Sequence, residues 1–241
     1  MDFVCLAAGK GTRFGALGRY LQKCMLPIGL TPFLEYSVRN LRRSGACDPE
    51  RDRLVVLVGH HGEQIRAYFG DAYDGLPIRY LEQGEARGTG HALATVAGAV
   101  DGAAPAVVWL GDLYVPAALF EGIVRHEGAN VLTLAPGGAD ANASVRVTVD
   151  RGRVTRAWYG SGPLADIGLW RLTPPVMADM HEPTGDEVRA LPNLQRQIDA
   201  GLRVGWLEAR EWLHLGGTEP TPEENVLAVG RRVLELNGER P

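Results

Sequence analysis

The chain has 241 residues, enough to bury one core, with hydrophobic residues at 45% and charged residues at 22%, the balance of an ordinary globular protein. A net charge of -4 offers no electrostatic footprint for DNA or RNA, and no apolar run approaches a membrane span, so neither nucleic acid nor membrane is expected as a partner. The apolar residues ahead of Lys10 are too few for a signal sequence, and Cys5, Cys24 and Cys47 form no C-x-x-C pair, so a reducing, cytoplasmic setting is expected.

Four short apolar runs, 3–7, 54–58, 78–81 and 106–110, alternate with helical patterns at 32–43, 63–69, 88–100 and 116–126. Buried parallel strands joined by crossover helices read this way. The first helix carries Thr31 as an expected N-cap, Pro32 in its first turn, basic residues in its last turn and Gly45 beyond. From 131 onward the pattern changes. Residues 131–135 read as another buried strand, while 144–149 alternates apolar and polar, turns at Asp150-Arg151-Gly152 and returns at 154–158 as a hairpin. Further strands are expected at 165–172 and 204–209, a closing helix at 221–236 capped by Thr221, and a frayed end at 238–241. The expected fold is α/β, a Rossmann-like three-layer α/β/α arrangement with a mostly parallel mixed central sheet and a small antiparallel hairpin region. It is expected to form a single domain over 1–241, with halves at 1–115 and 116–241.

In a parallel sheet, ligands bind beyond the carboxyl ends of the strands, so the residues just past each apolar run are the ones to collect. After the first run come Gly9-Lys10-Gly11-Thr12-Arg13, with Lys23 following. Glycines let backbone N–H groups approach an anion closely and the cations neutralise it, which suggests a polyphosphate site. The alternative is a strand and turn with solvating basic residues. Asp112, directly after the fourth run and behind Gly111, suits an oxygen-ligand metal such as magnesium, or the capping of the helix that follows. Gln83 can donate and accept at once, as reading a base edge requires, or it is an ordinary loop residue. Gly88-Thr89-Gly90 opens a helix and offers a second anion or ribose contact, or is an ordinary Gly-rich helix start. His60 and His61 are read as loop residues, because adjacent histidines rarely point the same way and no third ligand stands at metal-site spacing. The first loop lacks G-x-x-x-x-G-K-[ST] and is not G-x-G-x-x-G, which excludes a P-loop NTPase and disfavours a nicotinamide enzyme.

Leu6-Ala7-Ala8-Gly9-Lys10-Gly11-Thr12-Arg13, with Lys23 and Leu26-Pro27-Ile28-Gly29, resembles the signature of the sugar-phosphate nucleotidylyltransferases. The likeness continues through 59–65, Gln83 with Gly88-Thr89-Gly90-His91-Ala92, Gly111-Asp112, 166–170 and 212–218. Its wording is most similar to the N-acetylglucosamine-1-phosphate uridylyltransferase branch, without the β-helix acetyltransferase repeats. The resemblance implies a nucleotide-binding half at 1–115 and an acceptor-binding half at 116–241. It also implies nucleotide contacts at Leu6, Ala7, Ala8, Gly9, Gly11, Thr12, Gln83, Gly88 and Thr89. Arg13 would meet the outgoing pyrophosphate and Lys23 would neutralise the reacting phosphates. Asp166 and Gly168 would face the acceptor, and Asp112, with His214, would hold Mg2+. The partners implied are an NTP and a small phosphorylated acceptor, and a homo-oligomer is compatible with the family.

Three positions depart from the family pattern. His214 stands where a carboxylate or amide metal ligand is usual, Tyr159 and Gly160 where a Glu-Lys pair often binds the sugar phosphate, and Gln22 where a proline usually precedes the loop lysine. The expected reaction is transfer of a nucleotidyl group from an NTP to a sugar 1-phosphate. The alternatives are a cytidylyltransferase acting on a non-sugar phosphate such as phosphocholine or a phosphonate, and a non-catalytic nucleotide-binding homologue. A glycosyltransferase would want an Asp-x-Asp motif, which Gly111-Asp112-Leu113-Tyr114 does not supply.

Overall fold

The computed structural model describes residues 1–15, 17–136, 145–160, 162–216 and 222–239. In chain order the strands and helices are β1 (Asp2–Ala7), β2 (Pro27–Ile28), β3 (Thr31–Pro32), α1 (Phe33–Arg43), β4 (Arg53–Val58), α2 (Gly62–Phe69), β5 (Ala72–Tyr73), β6 (Leu76–Glu82), α3 (Thr89–Ala97), β7 (Ala106–Leu110), β8 (Leu113–Tyr114) and α4 (Ala117–Arg125). There follow β9 (Val131–Pro136), β10 (Val145–Asp150), β11 (Arg153–Tyr159), β12 (Leu164–Leu172), α5 (Pro174–Ala178), α6 (Ala190–Asp199), β13 (Gly205–Glu208), β14 (Leu213–His214) and α7 (Pro222–Leu236).

Ten of these strands form one mixed sheet, whose centre is the parallel set β7-β1-β4-β6. β12 joins β7 antiparallel and carries β9, β10 and the β10–β11 hairpin into the same sheet. The central strands are apolar on both faces because both are covered. Phe3, Cys5, Val56 and Val107 pack against α1, α2 and α4, while Val4, Val55, Leu57 and Val108 pack against α3, α5 and α6. Alternation of side chains along each strand thus feeds two cores, the three-layer arrangement expected from the sequence. A third, smaller cluster holds α7 and the β2–β3 hairpin against Phe33, Tyr36, Tyr114 and Leu215.

Several expectations need correction. Thr31 does not cap α1; it pairs in β3, and the N-cap is Pro32, without a side-chain cap bond. The cap is unnecessary because the Phe33 N–H donates to the Leu26 carbonyl at 2.9 Å. Thr221 lies outside the described residues. Helices α5 and α6 were not expected; in α6, Pro192 reads as a breaker, yet it falls in the first turn, where a missing N–H costs nothing. The C-terminal segment is not frayed at Glu239, whose carboxylate accepts from Tyr36 Oη at 3.0 Å and pairs with Arg39 at 3.1 Å.

Two buried polar residues on α1 fix the chain just past β7. Ser37 Oγ donates to the Leu113 carbonyl at 2.7 Å and accepts from the Val115 N–H at 3.0 Å, and Asn40 Nδ2 donates to the Val115 carbonyl at 3.0 Å. Ser37→Ala strands both backbone groups in the core. It is expected to cost about 1–3 kcal/mol, read as a lower midpoint in thermal or urea denaturation.

Candidate active site

β1 ends at Ala7 in the middle of the sheet, between β4 and β7. Beyond it Ala8 is buried, Gly9 and Lys10 are exposed, and Gly11, at φ 61°, turns the chain into a single 3-10 turn at Thr12–Phe14. Two further turns, Leu17–Arg19 and Lys23–Met25, complete the loop. The backbone of Arg13 lies in the first turn, and its side chain lies outside the described ones.

Gln22, where the family usually has proline, is the fastening of this loop. Its buried amide donates to the carbonyls of Ala7 at 2.6 Å and Gly9 at 3.4 Å and accepts from the Cys24 N–H at 2.7 Å. Its own N–H donates to Gln64 Oε1 at 2.9 Å. The residues after β4 grip the other side. His60 Nε2 donates to the Gly18 carbonyl (2.9 Å), His61 Nε2 to that of Arg19 (3.0 Å), and Gln64 Nε2 to that of Tyr20 (2.8 Å). The two histidines therefore do reach the same way, against expectation, because His61 takes a left-handed conformation at φ 55°. They are loop residues that hold the glycine-rich loop.

Lys23 Nζ lies 2.5 Å from Asp112 Oδ2, and His214 Nε2 lies 3.3 Å from the same oxygen. Three elements converge to make this cluster. The Gly111 N–H donates to the Leu6 carbonyl at 2.9 Å, which sets Asp112 beside the end of β1. β8 pairs antiparallel with β14, placing His214 opposite Leu113, and the Leu215 N–H donates to the Asp112 carbonyl at 2.8 Å. Gly216, at φ 115°, leaves the space Lys23 occupies, since a Cβ there would fall 2.2 Å from Nζ. Burial works to raise the Asp112 pKa, but His214 and Lys23 outweigh it and hold the carboxyl well below the usual carboxylate range. Asp112 is thus an anion at any physiological pH. Oδ1 makes no hydrogen bond among the described residues. Those residues also contain no group of three or more His, Cys, Asp or Glu side chains able to hold a metal.

Along the rim, Gln83 is buried rather than an exposed loop residue, and its N–H extends the β4–β6 pairing to the Val58 carbonyl at 2.9 Å. Its amide meets His91 Nδ1 at 3.1 Å, and Arg87 Nη2 meets His91 Nε2 at 2.9 Å. Gly88 and Thr89 open α3 against residues 184–189. The Val188 N–H donates to the Arg87 carbonyl at 2.7 Å and the Val188 carbonyl accepts from Gly90 at 2.8 Å. Gly88 has no alternative, because at φ 105° a Cβ would lie 2.6 Å from the Val188 oxygen.

On β12, the pairing with β9 shifts between Asp166 and Trp170. This bulge turns Asp166 so that it accepts from Trp170 Nε1 at 2.8 Å and from the Gly168 N–H. Gly168 packs directly over Leu110. Burial pushes the Asp166 pKa up to about 7 in spite of these donors, and Asp166 forms no ion pair among the described residues. Nearby, the Arg189 guanidinium stacks 4.8 Å from the Tyr159 ring. Burial raises the Tyr159 pKa, Arg189 opposes it, and Asp166 and Glu187 add to it, which makes these four groups one electrostatic neighbourhood.

The structure therefore gathers Lys23, Asp112 and His214 at the end of β1, with residues 6–12 beside them, Gln83, Gly88 and Thr89 further along the rim, and Asp166 and Gly168 on β12. Sequence reasoning missed Gln22 as a fastening, the histidine grip and Arg189. Gln22 carried a signal, as a departure from the family pattern; Arg189 carried none, since only the fold sets it on Tyr159.

A glycine-rich loop at the end of a central parallel strand, with a lysine–aspartate pair and a buried amide on the same rim, defines an α/β protein with a candidate ligand site beyond the carboxyl ends of its strands. Residues 3–204 match the MobA-like NTP transferase domain, and the chain belongs to that family. It is 37% identical over 125 residues to the bifunctional protein GlmU of Symbiobacterium thermophilum, covering 51% of this chain and 24% of that one. It is 40% identical over 101 residues to the UTP–glucose-1-phosphate uridylyltransferase AglF of Haloferax volcanii, covering 42% and 40%. The chain thus spans less than half the length of these relatives. In fold it is similar to a UDP-glucose pyrophosphorylase complexed with UDP-glucose, with TM-score 0.80, 18% identity, and coverage of 98% of this chain and 100% of that one.

The half-buried Asp166 sets a pH dependence. Its native pKa of about 7 lies above the unfolded value of ~3.9, so between the two the native state keeps a proton that the unfolded state has lost. Stability falls as pH rises through that window and levels off above it. Asp166→Asn, which keeps an acceptor for Trp170, is free of this cost. Its melting temperature is expected to match wild type near pH 4 and to exceed it by at least ~2 °C at pH 8, the shift that about 1 kcal/mol produces in a chain of this size. Calorimetric scans at the two pH values measure it.

Proposed function

We propose that the protein is a magnesium-dependent nucleotidyltransferase that joins an NTP to a sugar 1-phosphate, forming an NDP-sugar and pyrophosphate. The observation that carries this reading is Lys23 poised on an ionised Asp112 at the mouth of the glycine-rich loop. Membership of an NTP transferase family and a relative named as a UTP–glucose-1-phosphate uridylyltransferase support it.

An oxygen of the acceptor phosphate attacks the α-phosphorus in line, and pyrophosphate leaves from the opposite side. The attacking phosphate is already anionic, so positioning and charge neutralisation matter more than a protein base. Backbone groups at residues 8–11 and Thr12 bind the triphosphate, Arg13 meets the departing pyrophosphate, and Lys23 neutralises the reacting phosphate. Gln83, Gly88 and Thr89 take the base and ribose. Arg189, stacked on Tyr159, supplies the acceptor-side cation that a lysine at position 160 would otherwise give. Asp166 and Gly168 face the sugar.

Asp112 fits magnesium, since one carboxylate with an open oxygen, completed by substrate phosphates and water, is a common donor set for that ion. His214 already holds the other oxygen, and an imidazole is a poor magnesium ligand; it serves as the carboxylate's partner. Bound there, the ion would withdraw charge from the phosphates during transfer.

Pyrophosphate release is the test, with each NTP, magnesium and a panel of sugar 1-phosphates, with phosphocholine as the contrasting acceptor. Turnover is expected with a sugar 1-phosphate, lost on chelation and restored by magnesium. Arg13→Ala and Asp112→Asn are each expected to lower kcat by at least ~10²-fold, as for losing one transition-state stabiliser. An NTP that binds without any acceptor turning over would make the protein a non-catalytic homologue.

A further inference from the structure

Arg87, His91 and Gln83 form a hydrogen-bonded chain beside the Gly88 turn, and its polarity is set from one end. Arg87 Nη2 stands 2.9 Å from His91 Nε2. A guanidinium only donates, so Nε2 must present its lone pair. The other ring nitrogen of a neutral imidazole then carries the proton. Neutrality is favoured because burial and the neighbouring Arg87 charge both lower the His91 pKa, with Glu85 opposing them only in part.

His91 Nδ1–H consequently points at the Gln83 amide, 3.1 Å away. With Nε2 of Gln83 on that side, two donors would face each other. The half-turn that exchanges Nε2 and Oε1 leaves the shape of the side chain unchanged and converts the contact into N–H to O. The amide NH2 then occupies the free end, where no described residue bonds it. Gln83 is held in this place by its own N–H on the Val58 carbonyl and by burial, so the free end is a donor in a fixed position.

We propose that Arg87, acting through His91, fixes the direction of the Gln83 amide and thereby makes the base site select a carbonyl oxygen over an amino group. Uracil, thymine and guanine present O4 or O6 to such a donor, whereas cytosine and adenine present N4 or N6, a donor against a donor. Arg87 and His91 are positioning residues in this scheme, and Gln83 is the contact. The inference rests on Gln83 being the base contact of the proposed nucleotidyltransferase, and it narrows the NTP to the keto bases, against the cytidylyltransferase alternative.

The experiment has two readouts on the full chain. Long-range 1H–15N correlation spectra of the free protein report the tautomer of His91, expected as Nδ1–H with an unprotonated Nε2. Calorimetric titrations with UTP, CTP, GTP and ATP in magnesium report base choice within each size class. The keto member of at least one pair is expected to bind about tenfold or more tightly than its amino counterpart. Arg87→Ala, which frees the imidazole to exchange tautomers, is expected to bring that ratio to within about threefold of unity. Arg87→Lys, still a donor only, should retain it. A proton on Nε2 in the wild type, a preference for CTP or ATP, or an unchanged ratio in Arg87→Ala overturns the inference. If no NTP binds, the nucleotidyltransferase reading falls and takes the base selection with it, while the His91 spectrum separately shows whether the hydrogen-bonded chain is oriented as described.

Discussion

The rim depends on keeping one partly buried carboxylate ionised. Desolvation works against the charged form of Asp112, and a neutral acid there would neither anchor Lys23 nor attract a cation. The two groups that prevent this come from distant parts of the chain: Lys23 from the first loop and His214 from β14. Holding them in reach requires the short β8–β14 pairing, the Leu215 bond to the Asp112 carbonyl and the missing side chain of Gly216. The polar residues of α1 serve the same end, since Ser37 and Asn40 tie down residues 113–115, the stretch immediately after Asp112.

The glycine-rich loop shows how a departure from a family pattern can still stiffen the backbone. A proline before Lys23 would stiffen the loop by fixing one φ angle. Gln22 instead stiffens it by three amide hydrogen bonds, to Ala7, Gly9 and Cys24, and lends its N–H to Gln64. Proline has no N–H and no amide, so the Gln64 bond and the tie back to the end of β1 belong to glutamine alone. His60 and His61 add a grip from the neighbouring strand end.

How much of this was legible follows from the range of each interaction. The central strands and their helices were readable because continuous apolar runs with punctuating glycines are local signals, and Asp112 was readable because it follows such a run. The partnership of Asp112 with Lys23 and His214 spans up to about a hundred residues of chain and emerges only when β8 finds β14. Helix α6 carries Pro192 in its first turn, where a proline is tolerated because its effect depends on its place in the helix rather than on its presence. Asp166 and Gly168 were legible as a motif, yet the bulge that aims Asp166 is a property of strand register.

Arg189 was illegible for the same reason, and its placement ties the two halves of the site together. The segment that carries it is bonded through Val188 to both Arg87 and Gly90, on the two sides of Gly88. The Gly88 turn and the Arg189–Tyr159 stack are therefore mounted on one short stretch of backbone. With no space for a Cβ at Gly88, that stretch cannot move toward the turn without displacing it. The same backbone contact orders Arg87, the donor that faces His91, and places Arg189 on Tyr159. The Arg189–Tyr159 stack is thus anchored in the turn beside Gln83 and His91, and the geometry of one constrains the geometry of the other.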